Sequence, residues 1–207
     1  MFPEIFDQLR INHGFLTLAQ IAQLCERGNI IFDPLSTLIS VHAKIGTGNI
    51  FYPGVTIIGS SEYVMEIVDN NTFHSNTLIE SSLGPVSIGS ENQFGEGGVT
   101  IKANRDDAII KIGNRGRYLG GVAVFGATFL GSGSQILGSI TADGCRLEEG
   151  KSWREYGPNE RGGLLKGHGL AKNVTVGTGM VINGTGTFTE SLTEPQSNYH
   201  PLMKPAQ

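Results

Sequence analysis

The sequence predicts an all-β fold, a left-handed parallel β-helix of hexapeptide repeats with a short N-terminal helical cap and a protruding loop. Three observations predict it. Bulky apolar residues recur every six positions: Ile39, Ile45, Phe51, Ile57; then Ile112, Tyr118, Val124, Leu130, Ile136, Ala142; then Leu164, Leu170, Val176, Ile182, Phe188. That period matches neither the 3.6 of an α-helix nor the alternation of hairpin-paired strands, but it suits flat strands meeting at the corners of a prism. The chain also holds 30 Gly, far above ordinary usage and without the strict triplet period of collagen, so glycine is expected at repeated tight turns.

Each element follows in chain order. Residues 1–28 read as a cap: Ile5, Phe6 and Leu9, then Leu18, Ile21, Ala22 and Cys25, carry helical spacing, and Gly28 is placed to stop the second run. Residues 29–188 form the repeat, with the first residue of each hexad pointing inward. The fifth is small or β-branched at the corner, as at Ala43, Val55, Val122, Thr128, Ser134, Ile140, Val174 and Met180. Roughly six to seven coils of about 18 residues are expected from the repeat. Three polar segments interrupt it, at 60–66, at 102–107 and at 148–163, and the last, EEGKSWREYGPNERGG, is the candidate loop. From Thr189 to residue 207, Pro195, Pro201 and Pro205 oppose further strands, so this tail is expected to lie along a neighbour or stay loose.

Composition narrows the function. A formal net charge of −4 argues against nucleic-acid binding, and 39% hydrophobic residues suffice for a core without suggesting a membrane protein. No apolar run approaches the length of a membrane span and no signal-like region opens the chain, so a cytoplasmic protein is expected. Cys25 and Cys145 lack the spacing of a disulfide framework or zinc cluster and are expected to be buried. No H-x4-H spacing occurs, and no metal is expected.

The run LCERGNIIFDPLSTLISVHAKIGTGNIFYPGVTIIG resembles the lead-in to the β-helix of the bifunctional N-acetylglucosamine-1-phosphate uridyltransferase/glucosamine-1-phosphate acetyltransferase family, within the hexapeptide-repeat acyltransferases. Gly28, Ile31, Asp33, Pro34, Ile45, Gly46, Pro53 and Gly54 carry the match. KGHGLAKNVTVGTGMVI, Lys166 to Ile182, is similar to the stretch in which that family places its acetyl-transfer histidine, which implies that role for His168. The resemblance implies acetyl-CoA as donor. No nucleotidyltransferase text precedes the repeat, so uridyl transfer is not expected. VGTGMVINGTGTF lacks the family's Asn-Tyr-Asp-Gly run, so a different sugar or nucleotide-sugar acceptor is expected.

The residues support this chemistry on their own terms. A neutral histidine can take a proton from an amine or hydroxyl, and Gly167 and Gly169 beside His168 let a ligand approach the backbone and could offer N–H donors. His42 and His74 are lesser candidates for the base. Arg115 and Arg117, next to Tyr118, suit a phosphate or carboxylate clamp. Trp153, Arg154 and Tyr156 offer stacking surfaces and a cation for a sugar or adenine ring. Lys166 and Lys172 could attract coenzyme A phosphates, with Gly177 in the rung that follows. Flat prism faces predict a homotrimer with sites in the clefts between subunits. The alternative is a non-catalytic β-helix that binds or scaffolds in sugar-nucleotide metabolism.

Overall fold

In the computed structural model, which describes residues 2–200, the strands of the repeat pair in parallel with those one coil further on. On the first face Ile30 lies opposite Ile50, and the series continues through Thr72, Gln93, Arg117, Gln135, Leu164 and Val181. Subtracting neighbouring numbers gives seven coil steps of 20, 22, 21, 24, 18, 29 and 17 residues. The second face runs from Leu38–Ile39 and the third from Ala43–Ile45. The chain is thus a parallel β-helix, but only one of the first-face steps has the expected 18 residues, because extra residues are absorbed at the corners.

Two hexad registers fall inside the prism as expected, from Ile39 to Ile57 and from Ile112 to Ala142. The third slips. Leu165 and Ala171 point inward, while Leu170 is 42% exposed, because the 17-residue step moves the inward position of the strand Leu164–Lys172 by one. Within the core Phe51, Phe73, Phe94 and Tyr118 stack, with ring centres 5.1, 5.0 and 5.2 Å apart.

Asparagines fill the corner between the third and first faces. Asn71 donates from its backbone and side-chain nitrogens to Asn49 Oδ1 at 2.9 and 3.0 Å and from Nδ2 to Gly89 O at 2.8 Å. Its own Oδ1 accepts from Asn92 in the same way. The ladder begins at Asn29 and ends where Gly116, lacking a side chain, leaves room for the Tyr118 hydroxyl, which bonds Ser134 Oγ at 3.0 Å. Every amide along this buried corner is thereby satisfied without water.

The cap consists of helices Phe2–Asn12 and Leu18–Glu26. Thr17 and Gln20 form a capping box for the second, which buries Ile21 and Leu24. The first is fixed by Arg10, whose guanidinium donates to the carbonyls of Leu16, Pro34, Leu35 and Thr37, while Ile5 and Leu9 remain exposed. Cys25, expected to be buried, is exposed on the outer side of the second helix; Cys145 is buried. The tail also departs from expectation. Thr193–Pro195 adds an antiparallel strand to Met180–Ile182, and the buried Gln196 locks it by donating to Gly162 O at 2.7 Å. Proline at the strand's outer end needs no ladder partner. Pro201 and Pro205 lie outside the described residues. Among those residues no helix is long and apolar enough to cross a membrane.

Candidate active site

Backbone geometry separates one edge of the prism from the others. At the corner leading into the first face, Asn70, Glu91 and Arg115 take φ of 58, 62 and 56°, a left-handed conformation that L residues tolerate. The edge between the first and second faces instead carries Gly97, Gly120, Gly138, Gly167 and Gly169 at φ of 109, 95, 119, 119 and 142°. Only glycine adopts those values readily. A Cβ on Gly138 would run into the carbonyl oxygen of Gly167, and one on Gly167 into that of Gly184. Over these coils the edge is nearly bare of side chains.

In the last two coils the strands Leu164–Lys172 and Met180–Phe188 run straight across this edge, fusing two faces into one 15-stranded sheet. His168 stands at the crossing, opposite Thr185, exposed and without a hydrogen-bond partner among the described residues. The expected donor at Gly169 is already engaged: its N–H donates to Ser139 O at 2.9 Å. His74 occupies the same edge four coil steps away, a distance of about 19 Å at the usual inter-strand spacing. Its ring stacks on Tyr52 at 4.8 Å and fills the space above Gly95, so it is a packed side chain. His42 is exposed on a different edge, between the second and third faces.

The first face supplies a wall. Arg117 points outward from it, and its guanidinium lies 4.7 Å from the Trp153 ring centre, with that of Arg154 at 4.6 Å from the same ring. The excursion 148–163 is therefore pinned to the prism through a tryptophan bearing two guanidinium groups. Arg117 Nε is buried without a partner. Tyr156 is 56% exposed on the same excursion, beside a cleft of about 420 Å3 lined by Pro158, Asn159, Glu160 and Ser197.

Other candidates are dispersed. Tyr118 is a core residue whose hydroxyl is pushed to high pKa by burial, so it cannot touch a substrate. Arg115 and Gly177 sit at corners between the third and first faces, and Arg115 does not share a ring or ion pair with Arg117 among the described residues. Lys172 lies at the far end of the second face, beside the Arg105–Asp143 pair. There Arg105 donates to both Asp143 oxygens, at 2.7 and 3.1 Å, across Gly126, and this hydrogen bonding holds the Asp143 carboxyl below its ordinary range. Lys166, by contrast, is two residues from His168 on the same strand, and its Nζ lies 5.8 Å from the Tyr199 ring centre.

Sequence reasoning missed the Arg105–Asp143 bridge, which joins residues 38 apart, and the approach of the tail to Lys166. A tail returning to the penultimate coil leaves no periodic signal. A cleft of about 500 Å3 between the second helix and the first coil is lined by Gln20, Gln23, Glu26 and Arg27, far from His168 and without a histidine or nucleophile. Among the described residues no group of three or more His, Cys, Asp or Glu side chains gathers as a metal site.

No family model and no curated protein matches this sequence. Among solved structures, a UDP-N-acetylglucosamine acyltransferase of Francisella novicida is 14% identical over 84% of this chain and 74% of its own, with a TM-score of 0.30. PerB from Caulobacter crescentus, solved with CoA and GDP-perosamine, is 14% identical over 86% of this chain and 63% of its own, with a TM-score of 0.20. Both likenesses are distant.

Proposed function

We propose that this chain is a CoA-dependent acyltransferase, with acetyl-CoA as donor and an amine or hydroxyl of a sugar or nucleotide sugar as acceptor, and that His168 is the general base. The observation that carries this reading is an exposed, unpartnered histidine on an edge that glycine keeps nearly bare of side chains. The resemblance of KGHGLAKNVTVGTGMVI to the acetyl-transfer stretch of the uridyltransferase/acetyltransferase family adds to it.

In this reading the bare edge gives an extended thioester donor room to lie along the prism. His168 takes the proton of the acceptor amine or hydroxyl as the new bond to the acyl carbon forms. When the carbon–sulfur bond breaks, the imidazolium returns that proton to the departing thiolate, so CoA leaves as a thiol and the base is restored. Arg117, Trp153, Arg154 and Tyr156 hold the acceptor, and Lys166 with Gly167 and Gly169 lines the donor's path. Lys172 and Gly177, on other edges, and Arg115 reach a ligand only across a cleft between prisms. The assembly is then a homotrimer in the cytoplasm, and a neighbouring subunit supplies the acceptor that orients the second His168 nitrogen.

The test is turnover. The protein is mixed with acetyl-CoA and a panel of amino sugars and nucleotide sugars while free thiol is followed. Thiol release that depends on the acceptor and rises as an imidazole deprotonates supports the reading. A folded, trimeric protein with no release for any acceptor or acyl chain overturns it in favour of a binding scaffold.

A further inference from the structure

We propose that Arg161, Lys166 and His200 form a binding site for a phosphoryl group, one wall of which is the C-terminal tail. The three residues come from separate parts of the chain: the end of the excursion, the penultimate coil and the tail. What brings them together is Gln196. Fully buried, it donates from Nε2 to Gly162 O at 2.7 Å and Met180 O at 3.1 Å, and its backbone carbonyl accepts from Tyr199 N and His200 N, each at 3.0 Å. This turn sets Tyr199 against Lys166 and His200 within electrostatic reach of both Lys166 and Arg161.

The cluster carries net positive charge, with Glu155 the carboxylate that acts on Arg161. Arg161 is held by donating Nε and Nη2 to Glu155 O at 3.0 and 2.6 Å, which fixes the guanidinium plane and leaves Nη1 without a hydrogen bond. None of the three cationic groups has an ion pair among the described residues. In the tail the Glu194 carboxylate accepts from Asn198 Nδ2 at 3.0 Å and from the Tyr199 hydroxyl at 3.2 Å. Burial, then the charges of Arg161 and Lys166, lower the His200 pKa. Burial likewise lowers that of Arg161, with Glu155 opposing. Such a cluster costs stability unless an anion joins it, and a guanidinium, an ammonium and an imidazolium together match a phosphoryl dianion better than a neutral sugar or a single carboxylate.

The site deepens the acyltransferase reading at Lys166, since both the donor and a nucleotide-sugar acceptor carry a diphosphate, yet its electrostatics do not depend on transfer. The probe is inorganic pyrophosphate added to the full chain, with the His200 ring resonance, assigned through His200→Gln, followed by NMR across the imidazole range. Pyrophosphate is expected to raise the midpoint of the His200 titration by about one pH unit. Its affinity should fall about tenfold in Lys166→Gln and should weaken in His200→Gln mainly below the imidazole midpoint. Displacement by desulfo-coenzyme A assigns the phosphoryl group to the donor, and displacement by UDP-N-acetylglucosamine assigns it to the acceptor. A titration unmoved by pyrophosphate in folded protein, or equal affinity in Lys166→Gln, overturns the site. Thiol release is read separately: an inactive protein that binds pyrophosphate refutes the transferase and keeps the site, and an active one whose His200 does not move does the reverse.

Discussion

The first four coils and the last three solve the same problem in opposite ways. Both must repeat one structure at each turn. In the first four, repetition fills space: Phe51, Phe73 and Phe94 stack inside the prism while Asn49, Asn71 and Asn92 pair at its corner. In the last three, repetition empties space, since Gly138, Gly167 and Gly184 meet backbone to backbone and leave His168 exposed on that edge, with Thr185 opposite it. A ladder of identical side chains marks where the solenoid is held together, and a ladder of absent ones marks where a ligand can lie against it.

That contrast can be broken most severely in the filled half. Phe73→Ala removes the middle of a fully buried stack and is expected to cost about 3–5 kcal/mol, read as a lowered urea midpoint with an unchanged slope. Asn71→Ala comes next. It takes from the Asn92 backbone N–H and the Gly89 carbonyl their Asn71 partner in a buried corner, for a loss of about 2–4 kcal/mol by the same measurement. A loss below about 1 kcal/mol would mean that water or a shifted coil replaces the ladder.

Gly167→Ala tests the emptied half. With φ of 119° and the Gly184 carbonyl in the way, the methyl group should cost about 1–3 kcal/mol and displace His168, so that activity falls by more than the stability change explains. The smallest effect belongs to the surface bridge between coils. Because Arg105 depresses the Asp143 pKa in the folded state, this contribution is present above the unfolded carboxylate pKa and is lost as pH falls toward the folded value. Asp143→Asn should therefore cost about 0.5–1 kcal/mol at neutral pH. In acid the variant and the parent should converge.

The core was legible where inward residues stay large and six apart, which excludes Phe73 and Phe94 in the middle of the filled half. Ile39 to Ile57 and Ile112 to Ala142 spell the core in hexads. The sequence misled where a coil step changed length: Leu170 seemed inward only because the 17-residue step was invisible in one strand's text. The asparagine ladder was hidden for the same reason, since its members stand 20, 22 and 21 residues apart instead of 18. Among the candidate site residues, His168 is exposed between its flanking glycines, whereas Tyr118 is core. Arg161 and His200 were not legible, because nothing local reports that a tail folds back onto an excursion.

The central claim, that the bare stretch of the glycine edge around His168 is the working part of the molecule and the packed stretch of the same edge around His74 is frame, is tested most directly by comparing His168→Ala with His74→Ala for acyl-dependent thiol release and thermal stability. The two histidines share one edge of the prism and differ in what surrounds them. His168→Ala should lower the rate by about 100-fold or more and leave stability within about 0.5 kcal/mol. His74→Ala should lower stability with the rate of the folded fraction retained. The reverse pattern, or a His168→Ala protein as active as its parent, would contradict the account.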